Sequence, residues 1–545
     1  MLLGLLVLVS LWPTTRVDAA GVAGSGIGEA IFRRGQLDNG QSLQARSGTG
    51  AHLEGIGAAC ANCHRRSGLG AIEGRSTVPP ITGRYLFQSP TERSEASALP
   101  YVVGIRGNRV AYTDATLARA IRDGIDAGGN ALSSLMPRFQ LDDREMASLV
   151  DYLKGLDRRR APGISDSELQ LATVLTPDAD PVASKGMLDV LRQFVADTNA
   201  VHFAAAPPMQ PSARTQYSKS MLRAHRKWIL HVWQLEGPAD TWRAQLERHL
   251  AAEPVFAVLS GIAGANWAPV QAFCEKAELP CLFPNVEAPP PAEHEYYTTY
   301  FSQGVLLEAN LMAEAIKASA ATKPGLRIRQ VYRAGGVGES AARALEEALA
   351  GQNVTMVSEI LPPRGAIDRA QKSFAGPAPS EVVVLWLRSD DIVALTASPP
   401  PPETMIYLSG LMGDLERAPL PPVWRSATRI AMPVDLPERR RVRVDFAMGW
   451  FALRHIPIVA PRIQADTYLA CGLLSEALNH SADVAVRDYL LEKFEDMIER
   501  RVLTGYYPRL SLAPGQRFAS KGGYLVRFAG PAGNAVLAEG AWTVP

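Results

Sequence analysis

Hydrophobic and polar positions follow different patterns before and after about residue 157 of this 545-residue chain. Before it, apolar residues recur at helical spacing, as in 114–124 and 142–153. After it, short apolar runs alternate with amphipathic stretches of helix length, which predicts a largely parallel sheet covered on both faces. The predicted strands are 169–175, 228–233, 255–259, 281–283, 328–332, 354–360, 382–387 and 405–408, and the predicted helices between them are 180–199, 242–251, 267–277, 338–350 and 466–478.

A charge run joined to Pro and Gly, from Leu156 to Gly163, marks the change of pattern and predicts a domain boundary. The chain is also longer than one hydrophobic core normally serves. We therefore predict a signal peptide at 1–19, a first domain at 20–157, a linker at 158–168 and a larger domain at 169–545.

The N-terminus predicts export. An apolar run from Met1 to Trp12 is too short to cross a bilayer comfortably, and Ala19-Ala20 suits cleavage after Ala19. The usual basic residues before the apolar run are missing, so an uncleaved N-terminal anchor is the alternative. No later stretch is apolar enough for a membrane helix, and we expect a periplasmic protein without a membrane span in its mature chain.

Composition excludes little. The chain has 56 basic and 55 acidic residues, so no global field favours nucleic acid, and we expect no nucleic-acid partner. A hydrophobic content of 47% is typical of globular domains.

The sequence Cys60-Ala-Asn-Cys63-His64 is the pattern of covalent c-type haem attachment. Each thiol can add to one vinyl group of the porphyrin, and His64 would be the proximal iron ligand. A zinc knuckle would need two more Cys or His nearby, and a redox pair needs no adjacent His. We expect one covalent haem c.

The second axial ligand is expected from Met136, in a Met-Pro loop before the last predicted helix of this domain. Met146 and His52 are the alternatives. Met146 is expected in the core and His52 on the surface, so both fit the role of iron ligand less well. With both axial positions filled, the iron exchanges single electrons, so we expect a carrier rather than an enzyme.

On the attachment motif, the Met-Pro loop and the flanking helices, residues 25–157 resemble a class I cytochrome c. The resemblance implies an all-α domain whose first and last helices cross, with Gly28 and Phe32 against Leu149 and Tyr152. It also implies a periplasmic redox partner, and by analogy a quinoprotein dehydrogenase.

The order of elements in 169–545 resembles the two-lobed type I periplasmic binding fold, above all the substrate-binding proteins of branched-chain amino acid transporters. The stretch from Ala257 to Trp267, a strand followed by a small-residue loop and a helix start, carries the resemblance. Such loops offer backbone amides to anions. Ser260, Gly261 and Ala263 are the candidate contacts of a small-molecule ligand.

Two further cysteines, Cys274 and Cys281, are a candidate disulfide in an exported protein. The alternative is two free, buried thiols. A third cysteine, Cys471, lies in an apolar helical stretch and is expected in the core.

Together these features predict a periplasmic electron carrier whose second domain docks a partner or senses a small molecule. The alternative is a solute-binding receptor of a transport or signalling system with an appended redox-reporting haem domain. An enzyme acting at the cleft is a third hypothesis, without a nucleophile motif, metal cluster or phosphate loop in the sequence to support it.

Overall fold

The computed structural model divides the chain into two compact units, Met1–Arg160 and Ala161–Pro545. It describes residues 19–74, 76–88, 110–156, 161–204, 226–292, 295–321, 325–365, 381–400, 404–413, 420–481, 485–530 and 535–545. The predicted signal peptide falls outside these residues except at Ala19. The finer domain limits, with their linker at 158–168, stay predictions.

The first unit consists of short helices and very short strands. Its helices are α1 (Ala19–Arg34), α2 (Ala61–His64), α3 (Gly83–Leu86), α4 (Asp114–Asp123) and α5 (Asp143–Gly155). Its strands are β1 (Gln44–Arg46), β2 (His52–Glu54), β3 (Ala71–Glu73), β4 (Ser76–Val78) and β5 (Arg138–Gln140).

Helices α4 and α5 both begin with a capping box. Thr113 and Thr116 form the one at α4, and Asp142 and Glu145 form the one at α5. Thr113 is therefore the N-cap residue of α4, and Asp114 is the first residue of the helix.

Helices α1 and α5 approach closely, as predicted. A Cβ atom added to Gly28 would lie 2.2 Å from the backbone oxygen of Ser148, so only glycine fits at that position. Beside it, the rings of Phe32 and Tyr152 are 5.3 Å apart.

The prediction of an all-α first domain is wrong. Strand β1 pairs antiparallel with both β2 and β5 in a three-stranded sheet, and β3 pairs with β4. Each of these strands has three residues, which is too short for an alternating hydrophobic pattern to be visible in the sequence.

The second unit contains two sheets. Its strands are β6 (Glu168–Leu175), β7 (Lys227–Gln234), β8 (Ala257–Leu259), β9 (Cys281–Leu282), β10 (Thr298–Thr299), β11 (Leu326–Arg333), β12 (Val354–Leu361), β13 (Glu381–Trp386), β14 (Met405–Ser409), β15 (Thr428–Met432), β16 (Tyr524–Phe528) and β17 (Val536–Ala538).

The helices of this unit are α6 (Pro181–Ala204), α7 (Trp242–Ala252), α8 (Ala268–Lys276), α9 (Val305–Ala320), α10 (Val337–Ala348), α11 (Ser389–Leu395), α12 (Gly410–Gly413), α13 (Pro422–Arg425), α14 (Pro437–Leu453), α15 (Pro461–His480) and α16 (Arg487–Met497). None of the described helices is both long and apolar enough to cross a membrane.

The two sheets confirm the predicted two-lobed α/β architecture. The first sheet is parallel, with strand order β10-β9-β8-β6-β7. The second has the order β12-β11-β13-β14-β15-β16-β17, and among these strands only β16 is reversed, running antiparallel to its neighbours β15 and β17. Helices cover the parallel strands, which explains their nearly continuous apolar sequences.

The chain passes between the lobes three times, after β10, after β15 and after α16. Helices α14 to α16 pack on the first sheet, so the first lobe comprises the five-stranded sheet with α6–α8 and α14–α16. The second lobe comprises the seven-stranded sheet with α9–α13. Two of the connections are hydrogen bonded side by side: Tyr300 N lies 2.8 Å from Arg517 O, and Ser520 N lies 2.7 Å from Phe301 O.

Candidate functional site

The loop after β8, where ligand contacts are predicted, is closed by the protein's own polar groups. Ser260 is fully buried, and its Oγ accepts a hydrogen bond from Asn285 Nδ2 at 2.9 Å and lies 3.2 Å from Thr467 Oγ1. Gly261 has a φ of +116°, and a Cβ atom there would lie 2.8 Å from the Trp267 ring. Ser260, Gly261 and Ala263 line neither of the two cavities described next, so a ligand contact by them stays a prediction.

A cleft cavity of about 750 Å³ lies between the two lobes. The first lobe contributes the start of α6, one face of α14 and the start of α15, while the second contributes Arg388, Ser389 and Gly410 to Met412. The lining combines apolar side chains with groups of both charges. The charged residues are Asp180, Glu287, Arg388, Arg440, Arg441, Asp445 and Arg462.

An ion pair joins the lobes across this cavity. Glu287 follows β9 in the first lobe, and Arg388 precedes α11 in the second. The two side chains form a bidentate pair, with 2.9 Å between Arg388 Nη1 and Glu287 Oε1 and a second bond between Nη2 and Oε2. Because the Arg388 side chain is 49% exposed, water screens this pair and it can open at little cost.

An inner pocket of about 20 Å³ adjoins the cleft cavity and shares Glu287, Leu411 and Arg462 with it. Asp466, on the first turns of α15, lines this pocket and is 2% exposed. Its Oδ2 lies 3.3 Å from Arg462 Nη1 and 3.1 Å from the Tyr507 hydroxyl. Its Oδ1 is buried and has no hydrogen-bond partner among the described residues. Burial raises the pKa of Asp466 to about 6, although the Arg462 charge opposes the rise.

A second buried carboxylate lies in the second lobe, behind the segment that this lobe contributes to the cleft cavity. Glu308, on α9, is fully buried and accepts hydrogen bonds from Leu411 N at 2.9 Å and from the Ser409 hydroxyl. Burial raises its pKa to about 8, although both hydrogen bonds oppose the rise. Glu308 thereby fixes the segment Ser409–Leu411, whose last residue lines both cavities.

The first unit places the Cys-x-x-Cys-His residues on and beside α2. Cys60 is half-buried and Cys63 is exposed, and burial raises the pKa of the Cys60 thiol to about 12. His64 is buried, its Nδ1 lies 2.9 Å from Pro79 O, and burial lowers its pKa. Met136 is half-buried and packs, like Cys60, against the apolar core of this unit.

The other predicted pair of cysteines lies together in the first lobe. Cys274 on α8 and Cys281 on β9 are buried and free, and a hydrogen bond to Cys281 together with burial raises the pKa of the Cys274 thiol well above its ordinary value. Their proximity fits the predicted disulfide, which stays a prediction. Cys471 is fully buried in the core, as expected from its apolar helix.

No protein-family model and no curated protein matches the chain. Several solved structures are similar to it. A branched-chain amino acid transporter substrate-binding protein from Streptococcus pneumoniae, in complex with isoleucine, has 9% sequence identity and a TM-score of 0.49, and covers 69% of this chain and 100% of its own. A branched-chain amino acid ABC transporter protein from Thermus thermophilus with bound valine has 10% identity and a TM-score of 0.47, and covers 70% and 97%. A fatty acid ABC transporter substrate-binding protein from Thermomonospora curvata has 12% identity and a TM-score of 0.46, and covers 71% and 95%.

Two predictions are corrected here. The similar structures are substrate-binding proteins, and the described residues contain no group of three or more His, Cys, Asp and Glu side chains that could hold a metal ion. The predicted electron-carrier function and the predicted haem cofactor are therefore wrong. Cys60, Cys63, His64 and Met136 keep the positions given above, and the redox partner expected for them has no support.

Sequence reasoning missed the charged residues of the cleft. Arg462 and Asp466 stand one helical turn apart at the start of α15, a helix whose buried residues are mostly apolar. The sequence pattern predicts a helix only from Asp466 onwards. Two charges at i and i+4 on the face that packs inward were the available signal.

Proposed function

We propose that this chain is a periplasmic solute-binding receptor of a transport or signalling system, and that the solute binds in the cleft of residues 161–545. The observation that carries the proposal is the cleft cavity of about 750 Å³, because both lobes contribute charged side chains to its walls. A volume of this size suits a small organic molecule.

The lining supports binding rather than covalent chemistry. Neither cavity described here is lined by a histidine or a cysteine. Apolar residues such as Met412 and Ile430 alternate with arginines and carboxylates, which is the mixture that orients a small molecule in a binding site.

A solute that touches both walls stabilises the arrangement in which the lobes are close. The free energy by which the solute favours the closed arrangement equals the difference between its binding free energies for the closed and open arrangements. The hydrogen-bonded connections at Tyr300 and Phe301 would serve as the hinge, since they hold the lobes together at one edge while the exposed Arg388–Glu287 pair opens.

A thermal-shift screen of the full chain tests the proposal with a panel of amino acids, organic acids and alcohols. A bound solute at one hundred times its Kd adds roughly 2.7 kcal/mol of stability and raises the melting temperature. Ser389→Trp fills the cavity from the second lobe and is expected to abolish the shift. Ser319→Trp, at an exposed site on α9, is the matched control and keeps the shift. The absence of any shift across the panel, or an equal shift in both variants, would overturn the proposal.

A further inference from the structure

The inner pocket gives the solute a specific chemical requirement. We propose that Asp466 is a specificity-determining residue whose Oδ1 accepts a hydrogen bond from a hydroxyl group of the solute, while Arg462 binds the neighbouring carboxylate. The solute class is then a hydroxy acid. This inference rests on the proposed function and deepens it.

The unsatisfied oxygen is the first observation. A carboxylate oxygen that is buried without a hydrogen bond costs free energy, and native structures rarely leave one unpaired. Asp466 uses Oδ2 for both Arg462 and Tyr507, which leaves Oδ1 as the unpaired acceptor of a residue that lines the inner pocket.

The size of the inner pocket is the second observation. Its volume of about 20 Å³ holds one group as large as a water molecule and no more. A hydroxyl group fits this space. The carbon skeleton of the solute would remain in the larger cavity, among the apolar side chains around Leu411 and Val434.

The charges around Asp466 favour a neutral donor over an ammonium group. The groups that face the carboxylate are Arg462 from its own helix, Arg440 from α14 and the Tyr507 hydroxyl, while Glu287 acts on Arg462 from the adjoining wall. A further cation beside Arg462 and Arg440 would be repelled, whereas a hydroxyl adds no charge.

Arg462 supplies the other half of the recognition. Its guanidinium carries five N–H donors, and its side chain is 27% exposed toward the two cavities that it lines. A carboxylate next to the solute hydroxyl would meet these donors, and the arginine would position both the solute and Asp466.

Three probes with one carbon skeleton test the inference: 2-hydroxy-4-methylpentanoate, 4-methylpentanoate and leucine, which carry a hydroxyl, a hydrogen and an ammonium group at C2. Further matched pairs of hydroxy and deoxy acids extend the series to smaller and larger skeletons. Titration calorimetry on the full chain should give a Kd for the hydroxy acid that is roughly 10- to 100-fold lower than for the deoxy acid, as expected for a hydrogen bond to a charged group.

Asp466→Asn probes the role of the residue itself. Because Arg462 donates to residue 466, the amide oxygen of the variant faces Arg462 and its NH₂ group takes the place of Oδ1. That NH₂ group can only donate to the solute hydroxyl and carries no charge, so the hydroxy-to-deoxy preference should fall below the wild-type value. Glu476→Gln is the matched control. Glu476 lies on the same helix as Asp466 and pairs with Arg501, so the variant removes a carboxylate from α15 and should keep the hydroxy-to-deoxy preference.

The outcomes separate the inference from the proposed function. Equal Kd values for hydroxy and deoxy acids in the wild type, or a hydroxy-to-deoxy preference that is undiminished in Asp466→Asn, would overturn the inference alone. If leucine binds more tightly than the hydroxy acid, the donor to Asp466 is an ammonium group and the claim of a neutral donor is wrong. If no acid of the series binds but other solutes of the wider panel do, the hydroxy-acid class is wrong, while the proposed receptor function is supported. If nothing binds in either experiment, the proposed function falls.

Discussion

Two buried carboxylates stand behind the cleft, one in each lobe, and they differ in how their oxygens are satisfied. Glu308 in the second lobe receives a donor on each oxygen, from Leu411 N and the Ser409 hydroxyl. Asp466 in the first lobe receives two donors on Oδ2 and none, among the described residues, on Oδ1. Burial raises the pKa of both groups.

The difference separates a structural role from a binding role. A carboxylate with both oxygens satisfied fixes the backbone around it, as Glu308 does for the segment at Ser409 and Leu411. A carboxylate with one unsatisfied oxygen beside a cavity has an incomplete set of partners, and a solute can complete it. Burial alone does not distinguish the two cases, but the count of hydrogen bonds does.

The largest expected effect comes from Glu308→Gln, which tests the structural half of the comparison. The folded pKa of about 8 lies above the ordinary value of 4.5, so the folded protein holds the proton more tightly than the unfolded chain. The stabilisation is complete below about pH 4.5 and is lost as pH rises to about 8, by roughly 5 kcal/mol at most. In Glu308→Gln this pH-dependent loss should disappear.

Melting temperatures at pH 5 and pH 8.5 measure that effect. Glu314→Gln, an exposed site on the same helix, should keep the wild-type difference between the two pH values. A Glu308→Gln protein with the same pH dependence as the wild type would show that Glu308 is ionised without penalty.

A smaller effect is expected from Asp466→Asn in the absence of solute. The folded pKa of about 6 lies above the ordinary value of 3.8, so the wild type should lose roughly 3 kcal/mol of stability at most as pH rises from about 4 to about 6. The variant should not lose it. Melting scans at pH 4 and pH 7 decide this, and a saturating solute should reduce the loss in the wild type only.

Ser260→Ala has a smaller effect still, because it removes one member of a closed polar cluster. It leaves Asn285 Nδ2 with the Gly261 carbonyl and Thr467 as remaining acceptors, so the loss of stability should be about 1 kcal/mol. Titration with any solute found in the panel decides the functional question: an unchanged Kd agrees with the closed loop, whereas a large loss of affinity would restore Ser260 as a ligand contact.

The smallest effect on stability is expected from Glu287→Gln. The Arg388–Glu287 pair is partly exposed, and such pairs contribute at most about 1 kcal/mol. The melting temperature should change little, while the lobes should separate more readily, which small-angle scattering of the solute-free protein would detect as a larger radius of gyration. A large drop in melting temperature would assign the pair to the stability of the fold.

The sequence predicts the lobes better than the site. Runs such as Leu169 to Leu175 have the length and apolar character of buried parallel strands, and the structure has a strand there. The long helices α9 and α14 were not predicted, although Pro437 in the first turn of α14 is a helix start signal. In the first unit, three-residue strands such as β1 leave no periodic signal.

The site depends on contacts between residues that are far apart in the chain. Nothing near Asp466 in the sequence reveals that Tyr507 occupies one of its oxygens and that the other remains open. The small residues at Ser260 and Gly261 instead suggest a ligand loop, and distant partners, Asn285 and Thr467, close it. A motif indicates which groups are present, whereas the hydrogen bonds they still lack depend on the whole fold.

The native mass of the full chain, purified from the periplasm, tests the central claim most directly when wild type and Ser389→Trp are compared. A small organic molecule should be retained by the wild type, released on denaturation and absent from Ser389→Trp. The same molecule retained equally by both proteins would place binding outside the cleft and contradict the proposed function.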